Sequence, residues 1–203
     1  MQDEHDYGDE INGIAFRDIL LNTLLGVFAI LVAVITMIKM EQQAKATAEP
    51  PGNLMVTITW PSGPTDVDLW LDGPAEPVPI GYSNKNGVLW NLLRDDLGDM
   101  PDATPLNFEN AFTRGVVPGE YTVGLHCYRC PVLPVPVDVE ISLNKDAGKK
   151  GEKSPTKILV TTKVELTRQG QERTAINFKL NADGSIDPES MNSVFKPLRS
   201  AKK

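Results

Sequence analysis

The sequence predicts one membrane-spanning α-helix followed by an all-β, sandwich-like domain. Three observations predict it. Residues 19–38 form a run of twenty without a formal charge, and as a helix that length crosses a bilayer core of about 30 Å. The rest of the 203-residue chain is long enough for one domain with its own core. That remainder is cut into short segments with period-two or β-branched character, separated by Gly, Pro and Asn clusters, which is the signature of stacked antiparallel sheets.

The elements follow in order. Residues 1–17 are an acidic tail: with Asp18 included, residues 1–18 hold six acidic groups and a single Arg. The span is taken as 18–39, with Asp18 at its mouth. Asp18, Asn22, Gly26, Ala29, Ala33 and Thr36 recur at steps of three and four, which keeps them on one side of a helix. The other side is Leu, Ile, Val and Phe. Small residues at such spacing let helix backbones approach closely, and Ala29-x-x-x-Ala33 is a small-xxx-small pair. A carboxylate at the edge of a span is costly unless it faces protein or water, so Asp18 is either a functional ion or proton carrier or a headgroup-level marker of the end of an anchor. A plain lipid anchor with scattered small residues is the simpler reading of the stripe. The coincidence of two polar groups with it favours a protein-facing side.

Residues 40–53 read as a linker that ends in a Pro-Pro-Gly break. The β-domain is taken as 54–190. Strands are expected over 54–60, 66–71, 116–128, 135–143, 158–167 and 174–180, with turns at Pro61-Ser62-Gly63-Pro64, Asn84-Lys85-Asn86-Gly87, Pro118-Gly119 and Ala182-Asp183-Gly184. Pro134 and Pro136 confine their stretch to an edge or a strand start. Residues 145–157 read as a polar, Lys-rich hairpin tip or insertion. The basic tail 191–203 is expected to fray over its last eight residues.

Charge and motifs exclude several functions. Residues 40–203 carry 18 basic and 21 acidic groups, which does not suit nucleic-acid binding. No Gly-x-Ser-x-Gly and no phosphate-binding Gly loop is present, and His126 is the sole His after the span. The chain is therefore not expected to be an enzyme. Ala44-Lys45-Ala46 has the form of a signal-peptide cleavage site, but the preceding tail is acidic and the apolar run exceeds about 7–15 residues, so the span is expected to be retained.

Two constellations could carry chemistry. Asp66, Asp68 and Asp72 alternate along one strand and point to one face. Asp95 and Asp96 follow in a loop, with Asp102 and Glu109 beyond. Hard oxygen ligands gathered by loops are what Ca²⁺ requires, which makes Asp66, Asp68, Asp95 and Asp96 candidate calcium ligands. The alternative is a solvated face with turn and capping carboxylates, and Arg94 paired internally. The second constellation is Cys127-x-x-Cys130. It lies in or after a strand, not at the start of a helix in a βαβ unit, and zinc would need two further soft ligands. A structural disulfide or an unremarkable thiol pair fits better, and an isolated close pair suits an oxidising compartment.

At residues 16–39, FRDILLNTLLGVFAILVAVITMIK, the chain resembles the single-span B subunits of ion-driven motors, the MotB, ExbD, TolR and ZorB proteins. The resemblance covers about 25 residues and its motif is one Asp before an apolar helix. It implies a bacterial inner-membrane protein that is not itself an enzyme. The N-terminus would be cytoplasmic and the β-domain periplasmic. Asp18 would carry H⁺ or Na⁺, with Asn22 a pore-face neighbour. The partners would be five MotA/ExbB/TolQ-like multi-span subunits around a dimer of this chain, and a periplasmic target. The Lys/Arg balance, Arg17 before the span and Lys39 and Lys45 after it, leans the other way on orientation. The OmpA-like peptidoglycan-binding segment of MotB-type chains is not recognisable. The stretch DVDLW…YSN…G…L…RDDLG is instead similar to YfaP-like domains, with an Asp-x-Asp-Leu strand and a later Asp-rich turn. A membrane-tethered binding module without motor activity is the competing reading.

Overall fold

The computed structural model describes residues 16–37, 52–74, 76–98, 106–147 and 155–200. The chain divides into two units, residues 1–49 and 50–203. In the first, helix α1 spans Phe16–Met37, 22 residues, and is long and apolar enough to cross a membrane. At 1.5 Å per residue it is about 33 Å long. It starts two residues before the expected 18, so Arg17 lies inside the helix, and residues 38 and 39 fall outside the described chain. Thr23 and Thr36 return their hydroxyls to the carbonyls of Ile19 and Val32, so these polar groups are satisfied within the helix. Every described residue of α1 is exposed.

The second unit is a β-sandwich of two antiparallel sheets. Its strands are β1 (Leu54–Trp60), β2 (Asp66–Asp72), β3 (Trp90–Arg94), β4 (Asn107–Thr113), β5 (Gly119–Arg129), β6 (Val135–Leu143), β7 (Lys157–Leu166), β8 (Glu172–Leu180) and β9 (Ile186–Asn192). One sheet runs β3-β4-β1-β6-β7 and the other β2-β5-β8-β9. The alternating apolar residues face inward as a period of two demands: Leu54, Val56, Ile58 and Trp60 from β1, Val67, Leu69 and Leu71 from β2, Val123, Leu125 and Cys127 from β5, Val137, Val139 and Ile141 from β6. Tyr121 stacks on Phe178 at 5.3 Å and meets Trp90 edge-on at 6.0 Å. Its hydroxyl donates to Val117 O, and burial pushes its pKa up to about 12.

Three strands are not expected from sequence. β3 is only five residues long. β4 has inverted polarity: Asn107, Glu109 and Thr113 are buried, and Phe108 and Phe112 are only partly so. β9 carries Pro188 and occupies a sheet edge, where a missing N–H is tolerated. Pro136 shows the same logic inside a sheet. β6 lies between β1 and β7, but its pairing with β1 begins at Asp138, so Pro136 pairs only with β7. β6 and β7 form an antiparallel pair, so residues 144–156 connect them and Lys157 belongs to β7; residues 148–154 lie outside the described chain.

The basic tail is not frayed through residue 200. Leu198 is buried, and the carboxylate of Glu172 accepts the N–H groups of Leu198, Arg199 and Ser200 and the Ser200 hydroxyl, at 2.6 to 3.3 Å. Lys196 pairs with Asp72 at 3.1 Å. The segment 196–200 is a strap on the β2-β5-β8-β9 sheet, held at its start by Asp72 and Thr174 and at its end by Glu172.

Candidate functional site

The site forms at the rim of the sandwich, where the free edge of β2 meets β4 of the other sheet. β2 is an edge strand, paired along its length with β5 on one side and, on the other, bridged at Leu71 to Ile80. The Leu69 N–H on its open side has no strand to meet and donates instead to Glu109 Oε2, 2.8 Å away. Glu109 Oε1 accepts the N–H of Asp96 at 3.2 Å. A fully buried carboxylate thus ties the two sheets and the loop after β3 together. Burial, opposed by these two bonds, holds its pKa well above the ordinary value.

Oxygen atoms of Asp68, Asp95 and Glu109 all lie within 4.8 Å of one another. Asp68 Oδ2 is also 2.7 Å from Nδ1 of His126, its register partner on β5. Burial raises the Asp68 pKa, and the contact with His126 opposes it. Asp95 is paired with Lys85 at 2.8 Å. Asp66, two residues from Asp68 on the same strand face, is buried, and its Oδ1 has no hydrogen-bond partner. Burial first, then the charge of Asp68, push its pKa up to about 6, with Arg129 opposing and Asp95 and Asp96 adding. Arg129 is 3.9 Å from Asp66 and donates to the carbonyls of Pro64 and Leu97, closing the loop over it. Gly98 makes that closure possible: its φ is +72°, and a Cβ there would lie 2.8 Å from Thr65 O.

Of the four expected calcium ligands, Asp68 and Asp95 come together, Asp66 stands beside them, and Asp96 is engaged elsewhere. Asp96 Oδ1 accepts the Gly98 N–H, and Oδ2 accepts Arg94 and the Phe108 N–H. Arg94 is paired internally as expected, and its guanidinium also lies 4.1 Å over the Phe108 ring. Asp72 faces the strap and not the cluster. In the sequence, Glu109 stands out only as lying beyond the Asp-rich loop. Its signal is present with reversed sign: in NFENAFT the buried positions are Asn107, Glu109, Ala111 and Thr113, three of them polar, while Phe108 and Phe112 lie on the other face.

Cys127 and Cys130 are bonded, with Cα atoms 5.9 Å apart. The bridge spans the bulge at Tyr128, where β5 carries one residue more than β2. Exposed Tyr128 and half-exposed Tyr82 continue an edge-to-face chain from Trp70 beside the acidic rim. On α1, Asp18, Asn22, Gly26, Ala29 and Ala33 all lie in the described helix, and a Cβ at Gly26 would meet nothing within 4 Å. No protein-family model, curated protein or solved structure matches this chain.

Proposed function

We propose that this chain is a single-span, B-type subunit of an ion-driven inner-membrane motor, with Asp18 as the carrier of H⁺ or Na⁺. The observation that carries the reading is the composition of one face of α1. Within a 22-residue apolar helix, a carboxylate is followed one turn later by Asn22 and then by Gly26, Ala29 and Ala33. A carboxylate that must pass an apolar wall does so at lower cost when protonated or ion-bound, so its occupancy can be coupled to movement of the wall. One helix cannot enclose an ion path. The reading therefore requires partner helices, a second copy of this chain and a surrounding ring of MotA/ExbB/TolQ-like subunits. The N-terminus is cytoplasmic and the sandwich periplasmic in this reading, which the Cys127–Cys130 bridge supports because disulfides persist in oxidising compartments. The sandwich passes force to a periplasmic target.

The test uses the tagged full chain recovered from native membranes and reconstituted into vesicles with what co-purifies. A multi-span partner and an H⁺ or Na⁺ flux that Asp18→Asn abolishes without losing the partner are expected. Equal flux in the unaltered chain and in the Asp18→Asn variant, or a chain that purifies without a multi-span partner, would refute the motor reading. The second reading, a tethered binding module, is favoured by the acidic rim with Tyr82 and Tyr128 beside it.

A further inference from the structure

We infer that the sandwich rim binds one calcium ion through Asp68, Asp95 and Glu109, beside the buried carboxylate of Asp66. The inference stands on the β-domain alone and does not depend on the reading of α1. Two observations carry it. The first is spacing. Three carboxylate oxygens from three separate chain segments lie within 4.8 Å of one another. Ca²⁺ takes oxygen ligands at about 2.3–2.6 Å, so oxygens on opposite sides of it stand up to about 5 Å apart; Mg²⁺, at about 2.0–2.1 Å, draws them to about 4 Å. The second is the buried, unpartnered Oδ1 of Asp66. Asp66 is 2% exposed, shares the strand face with Asp68, and feels the charges of Asp68, Asp95 and Asp96. A buried acceptor without a donor costs free energy, and a cation beside it removes that cost.

The surroundings fit a site of oxygen donors. His126 holds one oxygen of Asp68 and so orients the carboxylate, the role an outer-sphere partner has at metal sites. The nearby side-chain cations are placed to yield. Lys85, on Asp95, is half-exposed and can swing into water. Arg129, 3.9 Å from Asp66, is anchored to the carbonyls of Pro64 and Leu97. The ion would join β2, the loop after β3, and β4, so it would lock the closed edge of the sandwich.

The experiment uses the full chain in detergent, stripped with a chelator and then titrated with CaCl₂, MgCl₂ or TbCl₃. Ca²⁺ is expected to raise the melting temperature, with an affinity on the order of 10⁻⁵–10⁻³ M. Bound Tb³⁺ should emit when Trp70, two residues from Asp68 on the same face, is excited, and Ca²⁺ should quench that emission by displacement. Asp95→Asn should fold, because Asp95 lies in a loop with an ion pair to exposed Lys85, and should weaken Ca²⁺ about tenfold or more. Lys85→Met should tighten binding, because it removes the competing cation. No response to Ca²⁺ up to about 10 mM, well above that affinity range, would overturn the inference. Equal response to Mg²⁺ or an unchanged affinity in Asp95→Asn would also overturn it, as would weaker binding in Lys85→Met.

Discussion

Single carboxylates hold much of this chain in place, and each works by a different partner set. Glu76 is buried and accepts the N–H groups of Val88, Leu89 and Trp90 at 2.6 to 3.1 Å, so it shapes the turn that starts β3. Glu76→Ala strands three N–H groups and should cost about 3 kcal/mol, measured by chemical denaturation. Gly87 touches the same carboxylate, and a Cβ there would run into it. Gly87→Ala should therefore cost about 1–3 kcal/mol although its backbone conformation suits any residue. The proposed function gives Asp18 a different role, and its test is functional. Asp18→Asn should leave folding and membrane abundance unchanged and remove ion-coupled activity, while Asn22→Ala should be milder, since an interhelical polar contact in a membrane is worth about 0.6–2 kcal/mol.

Whole elements respond to pH and to crowding. The strap 196–200 depends on Glu172. Burial alone would raise its pKa, but the Ser200 hydroxyl and the N–H groups of Leu198, Arg199 and Ser200 outweigh it, and the net shift is downward from 4.5. For an acid with a lowered folded value, the stabilisation is present above the ordinary value and is lost as pH falls through the folded one. The strap should therefore stay protected from carboxypeptidase at neutral pH and release as pH drops below 4.5. Glu172→Gln should remove that pH dependence, with residues 198–200 less protected at neutral pH and residue 196 still held by Asp72 and Thr174. For α1, Gly26→Leu tests the small-residue face. Space around Gly26 is open within the single chain, so the helix should form and insert. Loss of self-association in crosslinking is the expected outcome if that face meets another helix.

For the molecule as a whole, the property to test is topology. Lys145 lies in the turn after β6 and is exposed. In the proposed orientation, a Lys145→Cys variant reacts with a membrane-impermeant maleimide from the periplasmic side of intact inner membranes. Reaction only after the membrane is breached would place the sandwich in the cytoplasm, as the Lys/Arg balance of the flanks suggests.

The span, the division into helix and β-domain, and the six strands β1, β2, β5, β6, β7 and β8 are legible in the residues alone. Those features are local, because a period of two or an unbroken apolar run is written in consecutive residues. The acidic residues of β2 and its neighbouring loop, and the bonded cysteine pair, are legible in the same way. Three further features come only from packing at a distance. β4 is hidden because its inward face is polar, a pattern that is tolerable only where Leu69 N–H and the Asp96 loop meet Glu109. The pairing of Asp68 with His126 depends on strand register, which residues 58 positions apart cannot announce. The docking of the basic tail rests on Glu172, on a strand more than twenty residues earlier, whose carboxylate is the acceptor those last N–H groups need.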